Sequence, residues 1–375
     1  MKRPKAGIIC FHSTENYGGV LLSYGEQRLL SKWGYETEIL DFRHPSFSRT
    51  KLWQGWGFSQ GVSLRQVERR VLSLVNAAAL ESVFERFRIS KIRRSALLKT
   101  VEDFKDYVSS FDVLVTGSDQ VWHLGHPLQY FLPTHPGSRA KKVALACCSG
   151  SINQPGLKLD SVKEKVALIR DFDYVSVRND FTADIVEEAT GGRVDVLCDP
   201  SLLSDYTDLN DSSRVPNEPY IFYYSLAAGR EETSRRVLDS LRKRMGLNLA
   251  VSVISSSRNP RRSVGEDIRF LDADPSDWVA LLAGASFVLT DSYHGVLFSL
   301  KFKRNFLGTY DDSFRAARLI DLITRYELGN RIVPLDEAEK HVSEKWDKVT
   351  KPLDLSKLNS HIDSSREILE GVFIH

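Results

Sequence analysis

The residues best suited to chemistry fall in four segments where an apolar, strand-like run gives way to polar residues. In Leu289-Thr290-Asp291-Ser292-Tyr293-His294-Gly295 the run ends at Thr290, and a helix is expected from about Ser292. A helix N-terminus presents unpaired N–H groups and a partial positive charge, a site for an anion. His294, in the first turn, can reach that anion or donate a proton to it. The plainer alternative is a half-buried histidine satisfied by backbone. Arg178 follows the run Tyr174–Val177, so it falls near a strand's carboxyl end. Its forked donors suit a carboxylate or phosphate; a salt bridge to Asp180 or Asp184 would also explain it.

The third segment is Thr116-Gly117-Ser118-Asp119-Gln120-Val121-Trp122. Asp119 there is a general base or a hydrogen-bond acceptor for a sugar hydroxyl, unless it only caps the next turn. The fourth is Phe11 to Gly19, FHSTENYGG, in which Asn16, Gly18 and Gly19 open the first helix. Glycines let a backbone approach a ligand closely, although a tight strand-to-helix turn needs them too. The segment is neither a P-loop nor GxGxxG. Two basic groups, a helix N-terminus and an acid/base pair around one cleft predict a small, strongly anionic ligand.

These segments need a scaffold that brings strand ends together. Strand-like runs at Ala6–Phe11, Glu36–Phe42, Asp112–Thr116, Val143–Cys148, Tyr174–Val177 and Val194–Cys198 alternate with helical stretches. Residues 43–110 form a basic, mostly helical excursion with an aromatic segment. Residues 204–219 are polar and turn-rich and read as a linker. A second series follows, with strands at Tyr220–Leu226, Leu249–Ser255, Ile268–Leu271, Phe287–Thr290 and Asn305–Thr309. Its last helix is expected around Phe314–Arg325. Alternation of this kind implies parallel sheets flanked by helices. The expected fold is α/β, with two Rossmann-like domains, 1–205 and 218–375, facing across a cleft. Ligands of such sheets bind beyond the strands' carboxyl ends, where the four segments lie.

Composition limits the function classes. A chain of 375 residues suits two domains at roughly 150 residues each. Lys and Arg total 51 and Asp and Glu 49, a formal charge of +2, which argues against a nucleic-acid partner held by a basic surface. Mean hydropathy is −0.26 and no stretch approaches the ~20 apolar residues of a membrane span. The four cysteines Cys10, Cys147, Cys148 and Cys198 make neither a disulfide framework nor a thiolate zinc site. With no convincing secretory signal, a cytoplasmic protein is expected.

Several longer stretches resemble the polysaccharide pyruvyl transferase family: GIICFHSTENYGGVLLSYGEQRLL, FDVLVTGSDQVWH, VALACCSGS, DYVSVRND, VDVLCDPSLL, FVLTDSYHGVLFSLKFKRNF and AARLIDLITRYELGNR. Their order and spacing cover the chain from about Ala6 to Arg331. NYGG stands where Asn-Tyr-Gly-Ala is more usual, and Cys147-Cys148 where small residues are common. The resemblance implies a fold like that of GT-B glycosyltransferases and transfer of pyruvate from phosphoenolpyruvate onto two sugar hydroxyls as a ketal. It also implies that Arg178 and His294 act at the phosphoenolpyruvate, with Ser292, Tyr293 and Gly295 around it. His294 and Asp119 are then the catalytic pair, and Asn16, Gly18, Gly19, Ser118, Asp119 and Gln120 line the acceptor side. Some members carry arginine where this chain has Ser292; Lys301, Lys303, Arg304 and Arg315 are candidates to replace it.

Phosphoenolpyruvate is expected as donor substrate, with no cofactor and no metal. The acceptor is a saccharide in a polysaccharide or its lipid-linked precursor. Trp53, Trp56 and Phe58, beside basic residues, suit a lipid headgroup interface, so a peripheral membrane contact is expected; a packed helical excursion is the alternative. Two other functions compete: a GT-B glycosyltransferase using a nucleotide-sugar, and a non-catalytic saccharide-binding member of the fold. The first would want a ribose-binding acid and a base-stacking pocket, neither identifiable here. The second would predict loss of Arg178 and His294, and both are present.

Overall fold

A computed structural model of the chain describes residues 3–43, 64–123, 126–150, 163–227, 229–256, 262–311 and 316–374, with backbone only at 64–77, 163, 164 and 166. Among these residues the first sheet contains β1 (Lys5–Ile9), β2 (Glu36–Ile39), β3 (Val113–Thr116), β4 (Lys141–Cys147), β5 (Tyr174–Val177) and β6 (Asp195–Val196). The second contains β7 (Tyr220–Tyr224), β8 (Leu249–Val253), β9 (Ile268–Phe270), β10 (Phe287–Thr290), β11 (Phe306–Tyr310) and β12 (Ile332–Pro334). Every pairing is parallel, in the orders β2-β1-β3-β4-β5-β6 and β12-β11-β10-β7-β8-β9. Helices cover both faces of such a sheet, so its central strands read as continuous apolar runs; β3 and β10 are buried at every residue.

The helices, in chain order, are α1 (Tyr17–Lys32), α2 (Leu64–Lys91), α3 (Val101–Val108), α4 (Lys163–Arg170), α5 (Asp180–Thr190), α6 (Pro200–Leu203) and α7 (Glu231–Met245). There follow α8 (Pro275–Gly284), α9 (Tyr293–Lys301), α10 (Ala316–Tyr326), α11 (Leu335–Glu344), α12 (Trp346–Thr350) and α13 (Ser356–Phe373). Local signals explain several ends. Thr100 and Asp103 form a capping box on α3, and Asp274 with Asp277 forms one on α8. Gly191 and Gly246 close α5 and α7 in the left-handed conformation. Segment 204–219 joins the two sheets.

Each strand order reverses once, and ligands bind at such a reversal. In the first sheet the chain leaves β1 toward β2 and returns to β3 on the other side. The turns after β1 and β3 flank that crevice. In the second sheet the reversal lies between β7 and β10. Asp291, after β10, ties the two strand ends together by accepting from Ser225 Oγ at 2.6 Å, Leu226 N at 2.6 Å and Ala227 N at 2.9 Å.

Helix α1 sits between the halves and is buried along most of its length, including polar Ser23, Glu26 and Gln27. Tyr17, at its start, stacks on Trp278 of α8 at 6.0 Å and 14°, meets Tyr224 edge-on, and donates to Ala273 O at 2.7 Å. A ring of this kind buries about 150–250 Å², roughly 4–6 kcal/mol of transfer free energy at about 25 cal/mol/Å². The first strand-to-helix turn is thereby anchored in the second half. At the other end of the chain, α13 runs back to the first sheet. Phe373 stacks on Trp33 at 5.2 Å, Cys198 N donates to Ser365 Oγ at 3.0 Å, and Lys141 Nζ donates to Val372 O at 2.5 Å. The same helix also meets the second half, where Tyr326 Oη and His361 Nδ1 lie 2.9 Å apart.

Candidate active site

The reversal points of the two sheets face each other, and the turns they carry meet. Ser292 caps α9 by accepting the Gly295 N–H at 3.2 Å, as the Asp-Ser-x-His-Gly pattern predicts. Thr290 Oγ1 accepts from Ser292 N at 3.1 Å, and a Cβ at Gly295 would lie 2.5 Å from that same oxygen. Ser292 and Gly295 therefore seat the helix against its strand. His294, 4% exposed, points across to α1. A Cβ at Gly18 would lie 2.2 Å from His294 Nδ1, so Gly18 is the residue that lets the imidazole lie on the opposing turn. Gly19 lies beside Asp119; its Cβ would sit 3.8 Å from Oδ2.

Around His294 stand two carboxylates and two guanidinium groups. Arg178 Nη1 donates to Asp199 Oδ2 at 2.7 Å, and its Nη2 lies 3.7 Å from Asp119 Oδ1. Arg318, in the first turn of α10, places Nη1 3.6 Å from the same Asp119 oxygen. His294 Nε2 is 3.9 Å from Asp199 Oδ2, beyond hydrogen-bond reach. Tyr293 is the platform beneath both cations: its ring centroid is 4.7 Å from Arg178 Cζ and 5.6 Å from Arg318 Cζ. Three nitrogens in this cluster are buried with no hydrogen-bond partner: Arg178 Nη2, His294 Nε2 and Arg318 Nε. Buried donors are normally satisfied, and here three unmet ones lie together in the cleft.

Burial raises the Asp119 carboxyl, but Arg178 and Arg318 outweigh it and hold the group below the usual range. Burial acts on Asp199 in the same way, and Arg178 followed by His294 overcomes it. Both acids are ionised at neutral pH. His294 is shifted down, first by burial, with Arg178 and Arg318 adding and Asp199 and Asp119 opposing. Its neutral form prevails at neutral pH.

Asp119 has an unusual backbone, with φ 73° and ψ −172°. That region is essentially reserved for glycine and costs about 1–3 kcal/mol for other residues. The strained residue does not cap the following turn; its carboxylate projects to the two arginines instead.

The sequence-level candidates thus divide. Arg178, Asp119, Tyr293, His294, Gly18 and Gly19 converge. Arg178 pairs with Asp199 and Asp119, not with Asp180 or Asp184; Asp180 pairs with Arg325. Ser118 is spent on scaffolding, donating Oγ to Ala146 O at 2.7 Å. Asn16 is exposed and caps α1. Gln120 is half-buried beside Asp119, with Nε2 unpartnered. Lys301 lies at the far end of α9 and donates to Leu202 O at 3.0 Å, while Lys303 and Arg304 are exposed beyond it. Arg315, Trp53, Trp56 and Phe58 lie outside the described residues. The cation that joins Arg178 is Arg318. It obeys the same rule as the four turns, since it opens the helix after β11. Asp199 follows that rule after β6, where it caps α6 and accepts from Ser201 N at 2.9 Å. Both stand in stretches quoted for the family resemblance.

Solved structures similar to this one share its architecture at low identity. They include UDP-GlcNAc 2-epimerase from Methanocaldococcus jannaschii, with TM-score 0.54, 10% identity and coverage of 98% of this chain and 99% of that one. The UDP-GlcNAc 2-epimerase from Neisseria meningitidis bound to UDP-GlcNAc gives 0.53, 9%, 99% and 100%. Arabidopsis thaliana UGT89C1 complexed with UDP-L-rhamnose gives 0.51, 12%, 100% and 100%. At these identities the likeness establishes the two-domain, GT-B-like fold and nothing about ligands. No functionally curated protein matches the chain significantly. No helix among the described residues is long and apolar enough to cross a membrane. The family model for polysaccharide pyruvyl transferase matches residues 16–313, a span that holds Gly18, Asp119, Arg178, Asp199 and His294. Since that span is most of the chain, the chain belongs to the polysaccharide pyruvyl transferase family and is a transferase.

Proposed function

We propose that the cleft binds phosphoenolpyruvate and transfers its pyruvate to two hydroxyls of a saccharide as a ketal. The observation that carries this reading is the trio of unpartnered buried nitrogens on Arg178, His294 and Arg318. A carboxylate and a phosphate on one small molecule supply the acceptors they lack, each through a charge-assisted hydrogen bond. Tyr293 and Asp199 hold Arg178 in place before the donor arrives.

His294 is the acid. A bound trianion favours its cationic form, and it then protonates the methylene carbon of the enol ether, leaving the ketal carbon electrophilic. A saccharide hydroxyl adds there and loses its proton to Asp119. The C–O bond to phosphate breaks, and the second hydroxyl closes the ring with loss of its own proton. One released proton restores His294 and the other leaves with phosphate, so atoms and charge balance. Asp119 is a weak base while two arginines hold it; the donor's anions compete for those arginines and return basicity to the carboxylate as the acceptor enters.

A nucleotide-sugar is a poorer fit. The carboxyl ends of β10 and β11 present the carboxylates of Asp291 and Asp311, which repel a diphosphate. The reading includes a lipid-linked acceptor met at a membrane surface through Trp53, Trp56 and Phe58. Hypothesis and test: incubation with phosphoenolpyruvate and a panel of saccharides releases phosphate only with a competent acceptor, and that product gains the mass of a pyruvate ketal. Phosphate release indifferent to every saccharide, or transfer of a sugar from a nucleotide donor, refutes the proposal.

A further inference from the structure

Glu26 is an ionisable side chain for which the reaction above has no task. It lies midway along α1 with no exposed surface, among positions that apolar residues would fill. Its Oε1 accepts the Ser118 N–H at 2.5 Å, and its Oε2 has no hydrogen-bond partner. Space for it is made by Gly117, where a Cβ would lie 2.3 Å from Oε2. The turn above it holds the strained backbone of Asp119. Three hydrogen bonds oppose that strain. Ser118 Oγ donates to Ala146 O at 2.7 Å, and Cys148 N donates to Asp119 O at 3.0 Å. Both come from the neighbouring strand segment. The third, from Ser118 N to Glu26, is supplied from the helix below, at the residue next to the strained one.

We propose that Glu26 is a positioning residue for Asp119: it holds the Ser118 amide, and with it the strained backbone that aims Asp119 at Arg178 and Arg318. The charge of Glu26 matters because the site already holds two carboxylates. Burial pushes the Glu26 carboxyl up to about 8; Asp199 and Asp119 add to this, while the Ser118 amide and Arg178 oppose it. The other titratable groups near it, Cys10, Cys147 and Tyr206, are each raised and therefore neutral. At neutral pH the carboxyl thus accepts a hydrogen bond without adding a third negative charge beside an anionic donor. Above pH 8 it adds that charge, and donor binding weakens. This consequence rests on the donor reading proposed above.

Two measurements test it, and each stands without the other. Native-state amide exchange follows the Ser118 to Gln120 backbone in wild type, Glu26→Gln and Glu26→Leu. The Leu variant is expected to exchange there at least about tenfold faster, and Gln, which keeps the acceptor, to remain close to wild type. Equal protection in Leu overturns the proposal. Calorimetric titration with phosphoenolpyruvate from pH 7 to pH 9 then compares wild type with Glu26→Gln. Wild-type affinity is expected to fall by about tenfold more than that of the Gln variant. Identical pH profiles overturn the proposal, and this comparison decides alone if the Leu variant does not fold. If phosphoenolpyruvate binds neither protein, the donor reading fails and the exchange comparison decides for Glu26.

Discussion

The two turns that meet in the cleft are built in opposite ways. The turn after β10 is relaxed: Ser292 caps a nine-residue helix, and His294 takes its direction from that regular geometry. The turn after β3 is strained: Asp119 occupies glycine's part of backbone space, and only a single 3-10 turn, Gln120–Trp122, follows. One side of the site is thus positioned by local helix chemistry and the other by tertiary contacts that override local preference. Strain of this kind persists only when the surroundings over-determine it. Here Glu26 and Cys148 do so.

That contrast also decides what could be read from the sequence. A cap residue, a histidine and a glycine at fixed spacing made the β10 turn legible, and Arg178 was legible from its place after a buried run. Glu26 was not, because α1 is enclosed on nearly all sides and its polar residues mimic a solvated face. Its partner Ser118 lies 92 residues away. Arg318 was missed for another reason. Lys301, Lys303, Arg304, Arg315 and Arg318 carry the same charge in the sequence, and only the folded position of α10 shows that Arg318 reaches Asp119. Strands were legible wherever both faces are covered. The short β12, and α13 with its return to the first sheet, carry no comparable signal.

The sharpest way to break the comparison is at His294. Hypothesis: His294→Ala and His294→Gln both fold and lose at least about two orders of magnitude in turnover, while Gln still binds phosphoenolpyruvate. Steady-state phosphate release checks this; near-wild-type turnover in Gln would make His294 a ligand rather than the acid.

Arg178→Lys keeps charge but loses the fork. The expected result is donor binding weaker by roughly 1.5–3 kcal/mol, read by calorimetry. An unchanged dissociation constant would assign Arg178 to structural pairing with Asp199.

The strained turn can be probed by stability alone. Asp119→Gly and Asp119→Ala both remove the carboxylate and its ion pairs, so their difference isolates backbone strain. Glycine should be the more stable by about 1–3 kcal/mol in denaturant unfolding, with both variants impaired in transfer. Alanine more stable than glycine by about 0.4–1 kcal/mol, the cost of glycine's unfolded-state freedom alone, would mean that the backbone at 119 carries no strain.

The smallest effect is expected at Lys303 and Arg304. Alanine at either should change donor affinity by less than about 0.5 kcal/mol, since neither reaches the cleft. A tenfold loss would return one of them to the anion site in place of Arg318.

The central claim is that an anionic donor fills the space between Arg178, Arg318 and His294 and in doing so charges the imidazole. Titration of phosphoenolpyruvate into the protein, in two buffers of different ionisation heat at one pH near 7, measures this without any knowledge of the acceptor. Burial keeps His294 neutral in the free protein, so binding of a trianion should be accompanied by proton uptake. The prediction is that wild type takes up close to one proton more than His294→Gln, which binds the donor with no such difference between buffers. Binding with the same proton balance in both proteins, or no binding to wild type at all, would contradict the account.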